Sequence, residues 1–283
     1  MKLLVTGATG NLGALVVEAL LKKVPAADMA VSVRDPKKAE HLTALGVDVR
    51  YGSFHDYESL VTAFTGIDRL LMISSGDMHN RAEQHATAVK AAKEANVGFI
   101  VYTSAPNAAE SQFELASDHR ETEKAIIESG IPYAILRNNW YLENEMSTFQ
   151  AVRNGAPWII ASGAGRIGWA ARRDYAEAAA NVLIGTGHEN TIYELSNKLL
   201  TQDELAAIFG EALNREVQVM HVDDEAYGRI LSDAGVPDSV IPFLVAMQRG
   251  IREGGLNVES NDLERLLGRS ATPLQEAIRQ LFV

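Results

Sequence analysis

Three glycines at intervals of three residues, close to the start of the chain, form the pattern that points most directly to chemistry. An apolar segment predicted as a strand over Lys2–Thr6 precedes them, and a helix predicted over Asn11–Lys23 follows. In such a unit, glycines let a pyrophosphate approach the backbone, and free N–H groups at the helix N-terminus bind its charge. The sequence therefore predicts a dinucleotide-binding turn, with a glycine-rich turn without a ligand as the alternative. The residues predicted to form it are Gly7, Ala8, Thr9, Gly10, Asn11, Leu12 and Gly13.

The residue after the second predicted strand indicates which dinucleotide binds. Arg34 follows the strand predicted over Met29–Val33, and Lys37 and Lys38 add positive charge. An acidic side chain at this position accepts a hydrogen bond from the adenosine 2′-hydroxyl, whereas a basic one pairs with a 2′-phosphate. The sequence therefore favours NADP(H) over NAD(H). The neighbouring Asp35 precedes a proline and is better explained as a helix cap.

Polar residues also follow the fourth, fifth and sixth predicted strands. Ligands of open α/β sheets lie beyond the carboxyl ends of the strands, so we expect these hydroxyl and amide groups to contact the ribose and nicotinamide. Ordinary strand-to-helix turns are the alternative. The residues are Ser74, Ser75 and Gly76, then Thr103, then Asn138, Asn139, Trp140 and Tyr141.

A proton donor is harder to find. Many short-chain dehydrogenases use a Tyr with a Lys four residues later, which lowers the pKa of the phenol, but none of the eight tyrosines here has Lys at that offset. His119 stands where the Tyr would be expected, and Glu123 follows four residues later. An alcohol–ketone dehydrogenase and a sugar-nucleotide epimerase are therefore disfavoured. Tyr141, His119 and Lys124 remain as candidate catalytic groups, although a helical Lys is more often simply solvated.

A second glycine pattern, Gly163-Ala164-Gly165-Arg166-Ile167-Gly168, matches the spacing of dinucleotide-binding motifs more literally than the first. It lies outside the repeating strand–helix units, and a turn separates it from the next predicted helix. We interpret it as a flexible loop or hairpin, with a lid over the cofactor as the alternative.

Six predicted strands alternate with helices before residue 140, which is typical of a doubly wound, Rossmann-like parallel sheet. We expect residues 1–140 to bind the dinucleotide and residues 141–283 to form a smaller α/β substrate region, with a soft boundary across which some segments return to the first domain. The predicted strands are Lys2–Thr6, Met29–Val33, Val47–Tyr51, Arg69–Ile73, Phe99–Thr103 and Ile131–Leu136. The predicted helices between them are Asn11–Lys23, Pro36–Leu45, a helix capped by Asp56, Arg81–Asn96 and Glu114–Ser129.

Composition excludes several classes of protein. The chain has 283 residues with 47% apolar residues, a net charge of −11 and no cysteine. Disulfides, thiol catalysis and cysteine-based metal sites are therefore excluded, and the histidines lack metal-ligand spacing. The acidic balance disfavours nucleic acid as a partner. No signal peptide or membrane span is apparent, so we expect a cytoplasmic protein.

These segments resemble the NmrA-like family of atypical short-chain dehydrogenases/reductases, on the branch that contains bacterial quinone reductases and triphenylmethane dye reductases. The resemblance covers nearly the whole chain. It is carried by Val5–Gly13, Val24–Ala26, Val33–Pro36, Leu71–Ser74, Tyr102–Ser104, Thr122–Lys124, Leu136–Asn138, Asn139–Tyr141 and Gly187–Asn190.

The resemblance implies a reductase without flavin or metal that passes hydride from NADPH directly to a small quinone or dye-like acceptor. It also implies that Trp140 and Tyr141 frame that acceptor. The alternative is a regulator of NmrA type that binds NADP(H) with little turnover. Cofactor contacts are implied for Gly7–Leu12, Arg34, Ser74–Gly76, the segment from Asn138 to Glu143, and Arg172.

Overall fold

The structure is a computed structural model that describes residues 1–77, 80–113 and 116–282. Its strands are β1 (Leu3–Thr6), β2 (Met29–Val33), β3 (Asp48–Tyr51), β4 (Arg69–Met72), β5 (Phe99–Ser104), β6 (Tyr133–Asn138), β7 (Trp140–Tyr141), β8 (Trp158–Ile160), β9 (Trp169–Ala170), β10 (Thr191–Leu195) and β11 (Val219–His221). Its helices are α1 (Asn11–Leu21), α2 (Glu40–Ala44), α3 (Tyr57–Phe64), α4 (Arg81–Glu94), α5 (Ala116–Ser129), α6 (Met146–Arg153), α7 (Arg172–Ile184), α8 (Gln202–Leu213), α9 (Asp224–Asp233), α10 (Ile241–Arg252), α11 (Asp262–Leu267) and α12 (Leu274–Gln280).

A parallel sheet in the order β10-β6-β5-β4-β1-β2-β3 forms the centre of the molecule and confirms the predicted doubly wound fold. Its central strands are continuous runs of apolar residues because helices cover both faces of the sheet. The chain runs from β1 outward to β3 on one side and from β4 outward to β6 on the other. A crevice therefore opens between the carboxyl ends of β1 and β4, where ligands of such sheets bind.

Several predicted boundaries shift in the structure. The helix predicted over Pro36–Leu45 divides into a 3-10 turn at Pro36–Ala39 and the short α2. The strand predicted over Ile131–Leu136 begins and ends two residues later, at Tyr133 and Asn138. The predicted helix start at Glu114 lies outside the described residues, and α5 is described from Ala116.

The second half of the chain contributes to the central sheet before it builds a separate core. Strand β10 pairs in parallel with β6, so that Leu195 lies opposite Asn138, and α7 packs against α1. A second apolar core then forms around Trp158, Trp169 and Phe209. The division of the chain at residue 140 stays a prediction.

The second glycine pattern is a packed loop between β8 and β9. A Cβ on Gly165 would lie 2.3 Å from the backbone oxygen of Ile251, and one on Gly168 would lie 2.0 Å from Ser196 Oγ. These glycines are explained by close packing. In the described part of the chain, no helix is both long enough and apolar enough to cross a bilayer.

Candidate active site

The turn after β1 has the geometry of a backbone phosphate cradle. Gly7 has a φ of +61°, in the left-handed region that glycine adopts without strain. The N–H of Gly10 donates to the Gly7 carbonyl at 2.9 Å, which closes the turn. A Cβ on Gly13 would lie only 2.2 Å from the Gly7 oxygen, so α1 packs directly on the turn.

The N-terminus of α1 presents free backbone donors at this turn. Gly10 caps the helix and has no side chain to accept from them. Within the described residues, the N–H groups of Asn11, Leu12 and Gly13 donate no hydrogen bond. The positive end of the helix dipole adds to their attraction for an anion. Thr9, Gly10 and Asn11 are exposed, whereas Ala8 and Leu12 are buried and anchor the turn.

Arg34 reaches the same edge of the sheet one strand away. Thr6 in β1 lies opposite Ser32 in β2, so Arg34 and the turn stand at the same height beyond their strands. Arg34 is exposed, and its guanidinium has no partner among the described residues. The neighbouring Asp35 accepts from the N–H of Lys37 at 3.1 Å, which confirms its predicted role as a cap.

The loop after β4 forms the opposite wall of the crevice and is held by half-buried hydrogen bonds. The N–H of Ser74 donates to Thr103 Oγ1 at 3.0 Å, and Ser75 Oγ donates to Gln84 Oε1 at 2.8 Å. The hydroxyl groups of Thr103 and Ser75 therefore already have partners within the protein, whereas Gly76 is exposed. Cofactor contacts by these residues stay predictions.

The two asparagines after β6 have different environments. Asn138 Nδ2 donates to the Tyr141 hydroxyl at 2.9 Å, but its Oδ1 is enclosed without a donor. Asn139 instead donates from Nδ2 to the Leu256 carbonyl at 3.0 Å and accepts from the N–H of Gly168 at 3.1 Å. Both polar atoms of Asn139 are thus occupied in joining distant segments. A cofactor contact is easier to reconcile with Asn138 than with Asn139, and both stay predictions.

Tyr141, Glu143 and Arg172 meet beside the crevice. Both carboxylate oxygens of Glu143 accept from the N–H of Arg172, at 3.0 and 2.9 Å, and so cap α7. The Arg172 guanidinium lies 5.1 Å from the centre of the Tyr141 ring, within cation–π distance. Burial raises the pKa of the Tyr141 phenol, so it stays protonated at neutral pH. This cluster places one half-buried cation beside the crevice.

His119 lies in a buried network behind the loop after β4. Its Nδ1 is 2.7 Å from the Tyr102 hydroxyl. His85 Nε2 accepts from the N–H of Ser75, so its Nδ1 carries the proton toward Thr122 Oγ1 at 2.8 Å. Burial lowers the pKa of His85 and of His119 to about 3 each, so both are neutral near pH 7. This environment does not favour His119 as an imidazolium acid.

The structure does not bring Lys124 into the crevice. Its side chain is 74% exposed and lies 3.8 Å from Glu128 on the outer face of α5. The neighbouring Glu123 is buried and accepts from Arg137 at 2.9 and 2.7 Å and from Ser104 Oγ at 2.6 Å. The place of a Tyr/Lys pair is therefore taken by a buried ion network.

A carboxyl group bound by two indoles was missed by the sequence reasoning. Glu145 Oε1 accepts from Trp140 Nε1 and from Trp169 Nε1, each at 3.1 Å. Trp140 belongs to the predicted site, but Trp169 lies 29 residues further along the chain, so no local spacing indicates this cluster. Burial raises the pKa of Glu145, although the two indole bonds oppose the shift.

The arrangement fits a dinucleotide with a 2′-phosphate. The free N–H groups of α1 suit the pyrophosphate, and Arg34 suits the additional phosphate, at the same edge of the sheet. Among the described residues, no group of three His, Asp or Glu side chains is placed to hold a metal ion.

Comparisons with known proteins show the family to which the chain belongs. The model of the NmrA-like family matches residues 1–279. Quinone oxidoreductase 2 of Escherichia coli is 40% identical over 279 residues, which is 98% of either chain. An NAD(P)H azoreductase of Xenophilus azovorans is 28% identical over 84% of this chain and 83% of its own.

Solved structures give the same result. The E. coli NADPH-dependent quinone oxidoreductase complexed with NADPH superposes with a TM-score of 0.95, at 39% identity over 100% of both chains. The Citrobacter sp. triphenylmethane reductase complexed with NADP(H) gives a TM-score of 0.93, at 39% identity over 99% of both chains. The chain therefore belongs to the NmrA-like family and is an oxidoreductase.

Proposed function

We propose that this protein is an NADPH-dependent reductase that transfers hydride directly to a quinone, or to a dye-like electrophile, without a flavin. The proposal depends on one observation: the free N–H groups of α1 and the unpaired Arg34 lie at the same edge of the sheet. The similarity to an NADPH-bound quinone reductase and to a triphenylmethane reductase supports the choice of acceptor.

Different residues around the crevice bind different parts of the cofactor. The N–H groups of Asn11 and Leu12 bind the pyrophosphate, and Arg34 pairs with the 2′-phosphate. The nicotinamide half then extends past Gly76 toward Asn138 at the end of β6. When bound, NADPH supplies the hydride.

The substrate half of the site positions the acceptor more than it activates it. A quinone is already a good electrophile, and its reduction forms an aromatic ring, so orientation against the nicotinamide contributes much of the rate. The ring of Trp140 offers a flat apolar surface for such an acceptor, and Phe113 lies edge-on to it at 6.3 Å. A planar aromatic acceptor matches this surface better than a small hydroxy acid.

The test combines binding with turnover. Calorimetry of the purified protein with NADPH and NADH is expected to show tighter binding of NADPH. The loss of NADPH absorbance with benzoquinones, naphthoquinones and a triphenylmethane dye then reports turnover, and the absorbance spectrum of the protein reports any flavin. Tight NADPH binding without turnover of any acceptor would contradict the proposal and favour a sensor of NmrA type. Flavin that copurifies in stoichiometric amount would contradict direct transfer.

A further inference from the structure

We propose that the Glu145 carboxyl group is the acid that protonates the oxygen of the reduced quinone. This inference rests on the proposed function and adds to it the proton donor that the sequence lacks. Two indole N–H groups donate to Oε1 of Glu145, and the other carboxyl oxygen, Oε2, has no partner among the described residues.

The hydrogen bonds are compatible with a protonated side chain. The carbonyl oxygen of a carboxylic acid has two lone pairs, and the indoles of Trp140 and Trp169 occupy both at Oε1. Oε2 has no hydrogen-bond partner among the described residues. The only fully enclosed side-chain atoms without a partner in that part of the chain are Asn138 Oδ1 and Ser162 Oγ. Oε2 is therefore not fully enclosed, and neither indole occupies it.

The surroundings of Glu145 disfavour its charged form. No Lys, Arg or His pairs with it within the described residues, and burial raises its pKa. Burial also raises the pKa of Tyr227 on α9, and the negative charge of Glu145 raises it further, so neither group assists the ionisation of the other. A carboxyl group whose pKa is raised in this way is a better proton donor near neutral pH than an ordinary one.

Charged groups on the other neighbouring elements point elsewhere. On α6, the guanidinium of Arg153 lies over the Phe282 ring. On α12, Arg279 donates to the Ala212 carbonyl and Glu276 accepts from Gln280. The ionisation of Glu145 is therefore governed by burial and by the indoles.

The indole of Trp140 links this carboxyl group to the proposed acceptor surface. Successive side chains of a strand face opposite directions, so Tyr141 packs against the core of the central sheet while Trp140 packs against the second core. Glu145 accepts from Trp140 Nε1 at 3.1 Å, and its charge acts on Tyr227 of α9. The carboxyl group is therefore bonded to the ring that the proposed function gives to the acceptor.

The proposed step balances. A quinone that receives one hydride, which carries two electrons, becomes a hydroquinone monoanion, and the dinucleotide leaves oxidised. The O–H bond at Glu145 Oε2 breaks, and a new O–H bond forms on the hydroquinone oxygen. The carboxylate left behind keeps both indole hydrogen bonds, and solvent returns the proton.

A comparison of two acceptors tests the role. A triphenylmethane cation takes up hydride at carbon and needs no proton, whereas a quinone needs one. In Glu145→Gln the amide oxygen still accepts from both indoles, but no acidic proton is left. We expect kcat for the quinone to fall about 100-fold while kcat for the dye changes less than about twofold. Glu128→Gln, on the exposed face of α5, is the matched control.

The pH dependence gives a readout that a structural role would not alter. With the quinone, the wild-type kcat is expected to fall as pH rises through the raised pKa of Glu145. Glu145→Gln is expected to lack that limb. Infrared difference spectra of the cofactor-free protein are expected to show a protonated carboxyl band near neutral pH that is missing from Glu145→Gln.

The outcomes separate the two proposals. Unchanged quinone turnover in a folded Glu145→Gln, or an ionised Glu145 at neutral pH in the infrared spectra, would overturn the acid role and leave the reductase proposal intact. An equal loss with both acceptors would also overturn it, because it would indicate a role in packing. Wild-type protein that reduces neither acceptor would instead overturn the reductase proposal, and the infrared measurement would still decide the protonation of Glu145.

Discussion

Replacement of Arg34 by Ala separates recognition of the 2′-phosphate from recognition of the rest of the cofactor. Arg34 follows β2, the strand next to the one that carries the glycine turn, and neighbouring strands lie about 4.8 Å apart. Because it makes no hydrogen bond or ion pair with the described residues, its removal leaves no partner unpaired in the protein. We therefore expect the free energy of unfolding to stay within about 0.5 kcal/mol of wild type.

The size of the binding effect follows from the exposure of Arg34. A hydrogen bond to a charged group contributes about 1.5–3 kcal/mol, and water screens an exposed pair toward the lower end of that range. A loss of about 1.5 kcal/mol raises the Kd for NADPH about tenfold. NADH has no 2′-phosphate, so its Kd is expected to change less than about twofold. The difference is expected to shrink in high salt.

The assay is titration of both nucleotides by calorimetry, for wild type and for two variants of equal charge. Lys22→Ala is the control, because Lys22 is exposed at the far end of α1 and pairs with Glu18 at 2.8 Å. An equal loss of NADPH and NADH affinity in Arg34→Ala would refute the assignment. If Lys22→Ala loses as much NADPH affinity as Arg34→Ala, the effect reflects the overall charge of the protein and not a specific contact.

Three further predictions concern the scaffold of the site. Gly13→Ala places a Cβ 2.2 Å from the Gly7 oxygen and should lower the free energy of unfolding, measured by urea denaturation, by about 2 kcal/mol. Gly10→Ala places a Cβ 3.2 Å from the same oxygen. It should lower the affinity for the dinucleotide with a smaller change in stability. Glu123→Gln leaves the buried Arg137 with half of its charge compensation and should lower the free energy of unfolding by about 3 kcal/mol, and an unchanged denaturation curve would contradict this reading. The pKa of His119 is lowered to about 3 in the folded state, so the unfolded chain binds the proton first as the pH falls below 6.5. The urea concentration at the midpoint of unfolding should therefore decrease between pH 6.5 and pH 4. The decrease should be smaller in His119→Gln.

The sequence was sufficient where local physics decides the structure. Apolar runs between glycine turns identified the strands of the central sheet up to β6. Asp35 was predicted as a cap because it precedes Pro36, and its carboxylate accepts from the N–H of Lys37. The glycine turn and Arg34 could be predicted to bind one dinucleotide because they follow the first two strands, which are neighbours in the sheet.

Contacts between distant parts of the chain could not be predicted from the sequence. Two amides at the end of a strand suggest a ligand site, but Asn139 bonds Leu256, more than a hundred residues away, and no pattern near Asn139 announces that partner. Glu145 illustrates the reverse case. It stands among residues already assigned to the site, yet its chemistry depends on Trp169, which reaches it only because β7 and β9 pair.

The buried ion network explains why no Tyr/Lys pair is present at this place in the fold. A Lys four residues after His119 would have to share its space with Arg137, and two cations there would repel each other. Glu123 occupies that position and binds Arg137, so no lysine stands there to lower the pKa of a phenol. Reduction of a ketone forms an alkoxide, which is a strong base and needs a proton donor. Under the proposed function the product is a hydroquinone monoanion, a far weaker base, for which the proposed acid Glu145 is sufficient, and a cationic dye needs no proton.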